Sequence, residues 1–229
     1  MKKNVVWWIA VKNEKYSKKY GGWEWMDISR KTWEHWCKRH DVLFVPFEEP
    51  IEKDLHRFRV NWQKAIFCFD EMTDNKCTAW PDTDNLKWIY ESVQGYKPYF
   101  NDFELDISKY FSSGFLVFNE THRELFQGFK NLYLENIDSF IDAQDRVVIK
   151  STEQTALNYW LQINNVDMKL DLPMTWKLTH LTRKEIYKFN WQLNIDKTPF
   201  FIKHGYVWFL NGIPKNQRTQ SMQQIWELI

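Results

Sequence analysis

The residues with the clearest chemical potential lie in Lys76-Cys77-Thr78-Ala79-Trp80-Pro81-Asp82-Thr83-Asp84-Asn85, where a short apolar run leads into two aspartates one residue apart. In extended backbone, side chains at i and i+2 point to the same side. Asp82 and Asp84 can therefore present two carboxylates to one hard cation, which prefers oxygen ligands. It is the only Asp-x-Asp in the chain. Such a pair also arises by chance in solvated turns, so it has to be weighed with its surroundings.

Three further segments carry reactive or binding groups. Tyr110-Phe111-Ser112-Ser113-Gly114-Phe115-Leu116-Val117-Phe118-Asn119 sets two hydroxyls and a glycine just before an apolar strand. Thr152-Glu153-Gln154-Thr155-Ala156-Leu157-Asn158 puts a carboxylate and an amide on the first turn of a helix. Phe200-Phe201-Ile202-Lys203-His204-Gly205 ends a strand with a cation, an imidazole and a glycine. Taken singly, each has a plain structural role: a turn, first-turn charge favoured by the helix dipole, a strand-end histidine. Other catalytic signatures are missing. The chain has neither G-x-G-x-x-G nor a Walker phosphate loop, and neither G-x-S-x-G nor H-E-x-x-H. His35, Cys37 and His40 share one stretch, but their spacing spreads them over different helix faces, which argues against a metal site there.

The elements that must position these groups follow from periodicity. Residues 4–12 form a continuous apolar run, as in a strand buried on both faces. Apolar positions at helical spacing predict a helix over 23–40, and Val42–Pro46 reads as a second strand, giving a parallel crossover. A helix over 57–72 precedes the Asp-x-Asp strand, which completes βαβαβ. Ligands in open α/β sheets bind outside the carboxyl ends of the strands, where Asp82 and Asp84 would lie. Residues 86–110 read as irregular and aromatic-rich, 114–119 as a strand, and Thr121-x-x-Glu124 as a capping box opening a helix. An acidic loop over 135–145, a helix from Ser151 to 163, strands near 166–172 and 200–204, and a terminal helix over 221–229 complete the reading.

At 229 residues, one domain is expected. The 31 basic and 30 acidic side chains leave a net charge of +1, so no nucleic-acid partner or anionic membrane surface is implied. Most of the 14 Trp, 17 Phe and 10 Tyr belong to the core, while a surplus of aromatics often lines sites where bases or sugar rings stack. Three cysteines without C-x-x-C spacing read as free thiols in a reducing compartment. Met1-Lys2-Lys3 followed by an apolar run lacks the small-residue cleavage site of a signal peptide, and no run reaches the ~18 apolar residues of a membrane span. A cytoplasmic protein is expected.

Taken in order, the four segments resemble glycosyltransferases of the GT-A fold, most closely family 8 and its relatives. Those enzymes have an apolar first strand, an aliphatic strand into Asp-x-Asp, a Tyr-Phe-Asn-(Ser/Ala)-Gly segment, an Asp-Gln-x-x-Leu-Asn helix start and a late histidine. The resemblance spans residues 4–215. It implies a single-domain α/β, Rossmann-like GT-A fold with a mostly parallel central sheet flanked by helices, and a helical tail over 216–229. It also implies transfer of a sugar from a nucleotide-sugar donor, in the first instance a UDP-sugar, to a hydroxyl of a glycan, lipid or protein acceptor, with retention of configuration. Asp82 and Asp84 would hold Mn²⁺ or Mg²⁺ on the donor diphosphate, with His204 completing the metal site and His180 its competitor. Ala10, Val11 and Lys12 would border the base, and Lys64 would lie near the nucleotide. Thr83, Ser113, Gly114 and Gly205 would approach the donor, and Lys203 or Lys215 the diphosphate. Glu153 and Gln154 occupy the place of the family's catalytic Asp-Gln pair. The chain departs from the family pattern at Pro81, at Ser112 (Asn in relatives), at Glu153 (Asp in relatives) and after His204. Two alternatives stay open: a domain that binds nucleotide-sugar without turnover, and a metal-dependent nucleotidyltransferase.

Overall fold

The run from Val5 to Ile9 is β-branched or aromatic throughout, a composition that fits a pleated, half-buried surface, and it forms strand β1 (Val5–Ile9). The computed structural model describes residues 4–12, 22–67, 78–81, 86–147, 153–168 and 215–227. Strand β1 pairs in parallel with β2 (Leu43–Phe47), Val5 opposite Leu43 and Ile9 opposite Phe47, with helix α1 (Glu24–Arg39) as the crossover. Alternation along β1 sends Trp7 toward the main core beside Phe47, while Trp8 on the opposite face donates its indole N–H to Ser29 of α1 at 3.2 Å. Every residue of β1 is half-buried rather than fully buried as the apolar run suggests, and among the described residues β1 pairs with β2 alone.

Helix α1 carries Glu24 and Asp27 in its first turn and Lys38 and Arg39 in its last, the charge order its dipole favours. It ends at His40, after which Asp41 takes a left-handed conformation (φ 53°) that aspartate tolerates better than most residues. The remaining elements are α2 (Val60–Ile66), β3 (Thr78–Pro81), α3 (Leu86–Tyr96), β4 (Phe111–Val117), α4 (Arg123–Glu135), α5 (Ile137–Val147), α6 (Glu153–Ile163) and α7 (Lys215–Trp226). Strands β3 and β4 are antiparallel. The described residues are thus a mixed α/β arrangement with two separate two-stranded ladders, one parallel and one antiparallel, rather than one mostly parallel sheet.

The core is an aromatic stack between helices. Trp62 of α2 is fully buried and lies 4.2 Å, ring to ring, from Tyr133 of α4 and 5.6 Å from Phe140 of α5. Phe100 stacks on Tyr159 of α6 at 4.6 Å, with the rings 5° from parallel. Helices α4 and α6 approach closely at Gly128, where a Cβ would sit 2.7 Å from the Trp160 ring, and the Trp160 indole is fixed by donation to the Leu125 carbonyl at 2.7 Å. Helix α7 packs on α1, with Arg218 over Trp25 and Trp226 edge-on to His35.

Several expectations are corrected. Residues 86–110 are irregular only in their second part: Leu86, Ile89, Val93 and Tyr96 recur at helical spacing, α3 is followed by a 3₁₀ turn over Lys97–Phe100 that takes in Pro98, and residues 101–106 are the irregular stretch. The acidic stretch 135–145 is mostly helix α5, whose Ile137, Phe140 and Ile141 face the core while Asp138 and Asp145 meet Arg57 and Arg59. The capping box belongs to Asn119 and not to Thr121. Asn119 Oδ1 accepts from the Thr121 N–H at 3.1 Å and pairs with His122 Nδ1 at 2.8 Å, opening a 3₁₀ turn (Glu120–His122) ahead of α4. Asparagine is at least as good an N-cap as threonine, so the earlier residue prevails. Helix α2 begins at Val60 rather than 57, because residues 54–58 form a turn that Asp54 closes through the His56 and Arg57 N–H groups. Residues 164–168 form no strand, and α7 starts at Lys215 rather than Ser221. The expected strand at 200–204 and the stretch 169–172 lie outside the described residues.

Candidate functional site

Strand β4 does not run straight along β3. Ala79 pairs with Leu116 and Trp80 with Ser112, so residues 113–115 bulge out between the two pairs. Bulges of this kind are common beside active sites because they re-aim side chains, and a glycine within a strand often marks one. Ser113 and Gly114 are in the bulge. The Ser113 N–H is donated at 3.1 Å to Oε1 of Gln154, in the first turn of α6. The Ser113 hydroxyl donates to Oε1 of Glu153 at 2.6 Å. Glu153 is 2% exposed and Ser113 7%. A carboxylate so far from water needs hydrogen bonds and a favourable potential; the hydroxyl supplies one and the N-terminus of α6 the other.

Two residues before Ser113, the strand meets α6 a second time. Phe111 donates its N–H to Asn158 Oδ1 at 2.9 Å and accepts from Asn158 Nδ2 at 3.0 Å. The spacing explains the fit. Residues four apart on a helix are separated by about 6 Å along its axis, and residues two apart on a strand by about 6.7 Å. Gln154 and Asn158 can therefore take the N–H groups of Ser113 and Phe111 as a neighbouring strand would. Phe111 is also the ladder partner of Pro81. Its N–H goes to Asn158 and its carbonyl already has a donor there, so pairing with Pro81 requires nothing of the N–H that proline lacks. A proline at position 81 is accommodated in this way.

Behind this contact lies a row of buried hydroxyls. Thr155 Oγ1 is 2.7 Å from Tyr110 Oη and 2.6 Å from Ser92 Oγ of α3. The Tyr96 phenol is held well above its ordinary range, first by burial and then by the negative charge of Glu153, so it stays protonated.

Among the described residues, the structure joins Ser113, Gly114, Glu153 and Gln154 at one place, beside the strand whose last residue, Pro81, immediately precedes Asp82. Ala10 continues the parallel ladder, its N–H on the Phe47 carbonyl at 2.9 Å, and is buried, while Val11 is half-buried. Lys12 is exposed and engaged with Asp27 of α1 at 2.9 Å. Lys64 sits within α2, and Lys215 opens α7. Asp82, Thr83, Asp84, His180, Lys203, His204 and Gly205 lie outside the described residues. No group of three His, Cys, Asp or Glu side chains able to hold a metal occurs among the described residues.

No protein-family model, curated protein or solved structure matches this chain. The site has to be read from its own residues. Sequence reasoning gives no role to Ser92, Tyr96, Tyr110, Thr155 or Asn158, although Tyr110, Thr155 and Asn158 stand within the segments that carry the resemblance. One signal was available for Asn158: it follows Gln154 by four residues and shares its helix face. None marks Ser92, whose contact to Thr155 spans 63 residues.

Proposed function

We propose that the chain is a metal-dependent glycosyltransferase that moves a sugar from a nucleotide-sugar donor, a UDP-sugar, to an acceptor hydroxyl, within a single GT-A-like domain. One observation carries the reading. Three segments distant in sequence, the strand into Asp82 and Asp84, the Ser113–Gly114 segment and the Glu153–Gln154 helix start, converge through β3, β4 and α6. Two carboxylates and an imidazole would suit Mn²⁺ somewhat better than Mg²⁺. Asp82 and Asp84 would hold the cation, which would supply positive charge against that developing on a departing diphosphate. In this reading Ser113 and Gly114 face the donor, because the bulge turns their backbone out of the ladder. Glu153, which accepts from the Ser113 hydroxyl in the first turn of α6, would stabilise positive charge growing at the anomeric carbon.

A second reading, nucleotide-sugar binding without turnover, is favoured by the burial of Glu153 and its existing bond to Ser113. Calorimetry of UDP binding with Mn²⁺ and then with EDTA tests the site. Metal-dependent binding is expected, and no binding in either buffer would remove the reading. Release of UDP from a UDP-sugar in Mn²⁺ without acceptor then separates transferase from binder.

A further inference from the structure

We infer that Asn158 is the positioning residue of this site: its carboxamide locks α6 to the start of β4 and so sets the spacing at which Ser113 meets Glu153 and Gln154. The side chain is fully buried and both ends of the amide are engaged. Oδ1 takes the Phe111 N–H at 2.9 Å, while Nδ2 donates to the Phe111 carbonyl at 3.0 Å and to the Gln154 carbonyl at 2.9 Å. The bond to Gln154, one turn back on its own helix, fixes the orientation of the amide, so the group acts as a rigid peg. Of the side chains of this size, only asparagine supplies an acceptor and two donors at once. Leucine has the volume without the polar atoms, and ionised aspartate has the acceptor without the donors. Phe111 and Ser113 expose their N–H groups along the same edge of β4, and they are received by side chains four residues apart on one helix. A change at Asn158 is therefore transmitted to Ser113 through the strand, although Asn158 touches neither the Ser113 hydroxyl nor the Glu153 carboxylate in the bonds described above. Its effect on turnover rests on the function proposed above; its effect on the register does not.

The test combines amide hydrogen exchange with kinetics on UDP-glucose in Mn²⁺, for the wild-type chain, Asn158→Ala and Asn158→Asp. In Asn158→Ala, protection of the Ser113 and Phe111 amides should fall about tenfold more than that of the Phe129 amide in α4, the loss expected for one hydrogen bond to a buried group. Asn158→Asp covers the case in which the alanine variant does not fold. Its buried carboxyl is protonated at low pH and regains a donor, so Ser113 protection should be low near about pH 8 and recover near about pH 5. A loss of global stability would instead lower Ser113 and Phe129 protection together and restore both together as the carboxyl is protonated. Ser113 protection that tracks Phe129 in both variants overturns the inference, as does a fall in kcat without a change at Ser113. Where Ser113 responds as described but the wild-type chain releases no UDP, the positioning role stands and the transferase reading falls. A kcat reduced about tenfold with little change in KM extends the role to catalysis.

Discussion

The Ser113 hydroxyl lies 2.6 Å from the Glu153 carboxylate, and almost none of either residue reaches solvent. The two can therefore be separated experimentally by what each substitution leaves behind. Ser113→Ala leaves a buried carboxylate one donor short and should lower stability by about 1–3 kcal/mol in urea denaturation. Glu153→Gln keeps the shape and an acceptor for the hydroxyl, so stability should change little. Turnover of a UDP-sugar should fall while UDP affinity is retained; equal loss of both would make Glu153 a binding residue.

Ser113, Glu153 and Gln154 are legible in the sequence as candidates because each sits in a short contiguous segment with a recognisable order of types. What the sequence conceals is the contact that organises them. The pairing of Asn158 with Phe111 joins residues 47 apart, and a side-chain amide standing in for a strand has no periodicity of its own. The same limit explains the helix errors. Leu86, Ile89, Val93 and Tyr96 do carry the helical period, but the density of aromatics around them obscures it. In α5 the acidic residues mark the solvent face of a helix, where they resemble a loop until Phe140 and Ile141 are seen to share the opposite face. The β1–α1–β2 unit is read correctly because its strands are apolar and its helix amphipathic.

The proposed metal site can be tested residue by residue. Asp84→Asn removes one charged ligand while preserving shape and should abolish the Mn²⁺-dependent part of UDP binding in calorimetry; unchanged affinity would exclude Asp84. His204→Ala should weaken Mn²⁺ affinity more than His180→Ala, and the opposite order would assign the imidazole ligand to His180.

Gly128→Ala sets two effects against each other. Helix propensity favours alanine by about 1 kcal/mol. The added methyl, however, meets the Trp160 ring at 2.7 Å, and that ring is held by its indole bond to Leu125. Overpacking of this kind costs about 1–3 kcal/mol, so a net loss of about 1 kcal/mol is expected by thermal or urea unfolding. A stabilised variant would show that Trp160 moves freely.

Cys37 predicts an alkaline limit to stability. The thiol is buried and unbridged, and burial pushes it up to about 11. Unfolding returns it to about 8.5. The neutral thiol thus favours the folded state fully below that value, and the contribution is lost as pH rises toward 11. Burial raises the Tyr133 and Tyr159 phenols too, which extends the same trend to higher pH. Urea midpoints should fall above about pH 9, with the early part of the fall removed in Cys37→Ala.

The loop from Glu48 to Arg57 is exposed along most of its length, yet it is sewn to the core. Gln63, fully buried on α2, accepts from the Glu52 N–H at 3.0 Å and donates to the carbonyls of Glu52 and Phe58 at 2.9 and 2.7 Å, while the Tyr133 hydroxyl donates to the Arg57 carbonyl. Seven residues are too few for α2 to persist alone, so it holds the loop only while Trp62 beside it remains stacked. A protease that cuts at surface loops should find this one closed until the whole fold opens, and a tag or foreign segment inserted there would be felt at the Trp62 stack.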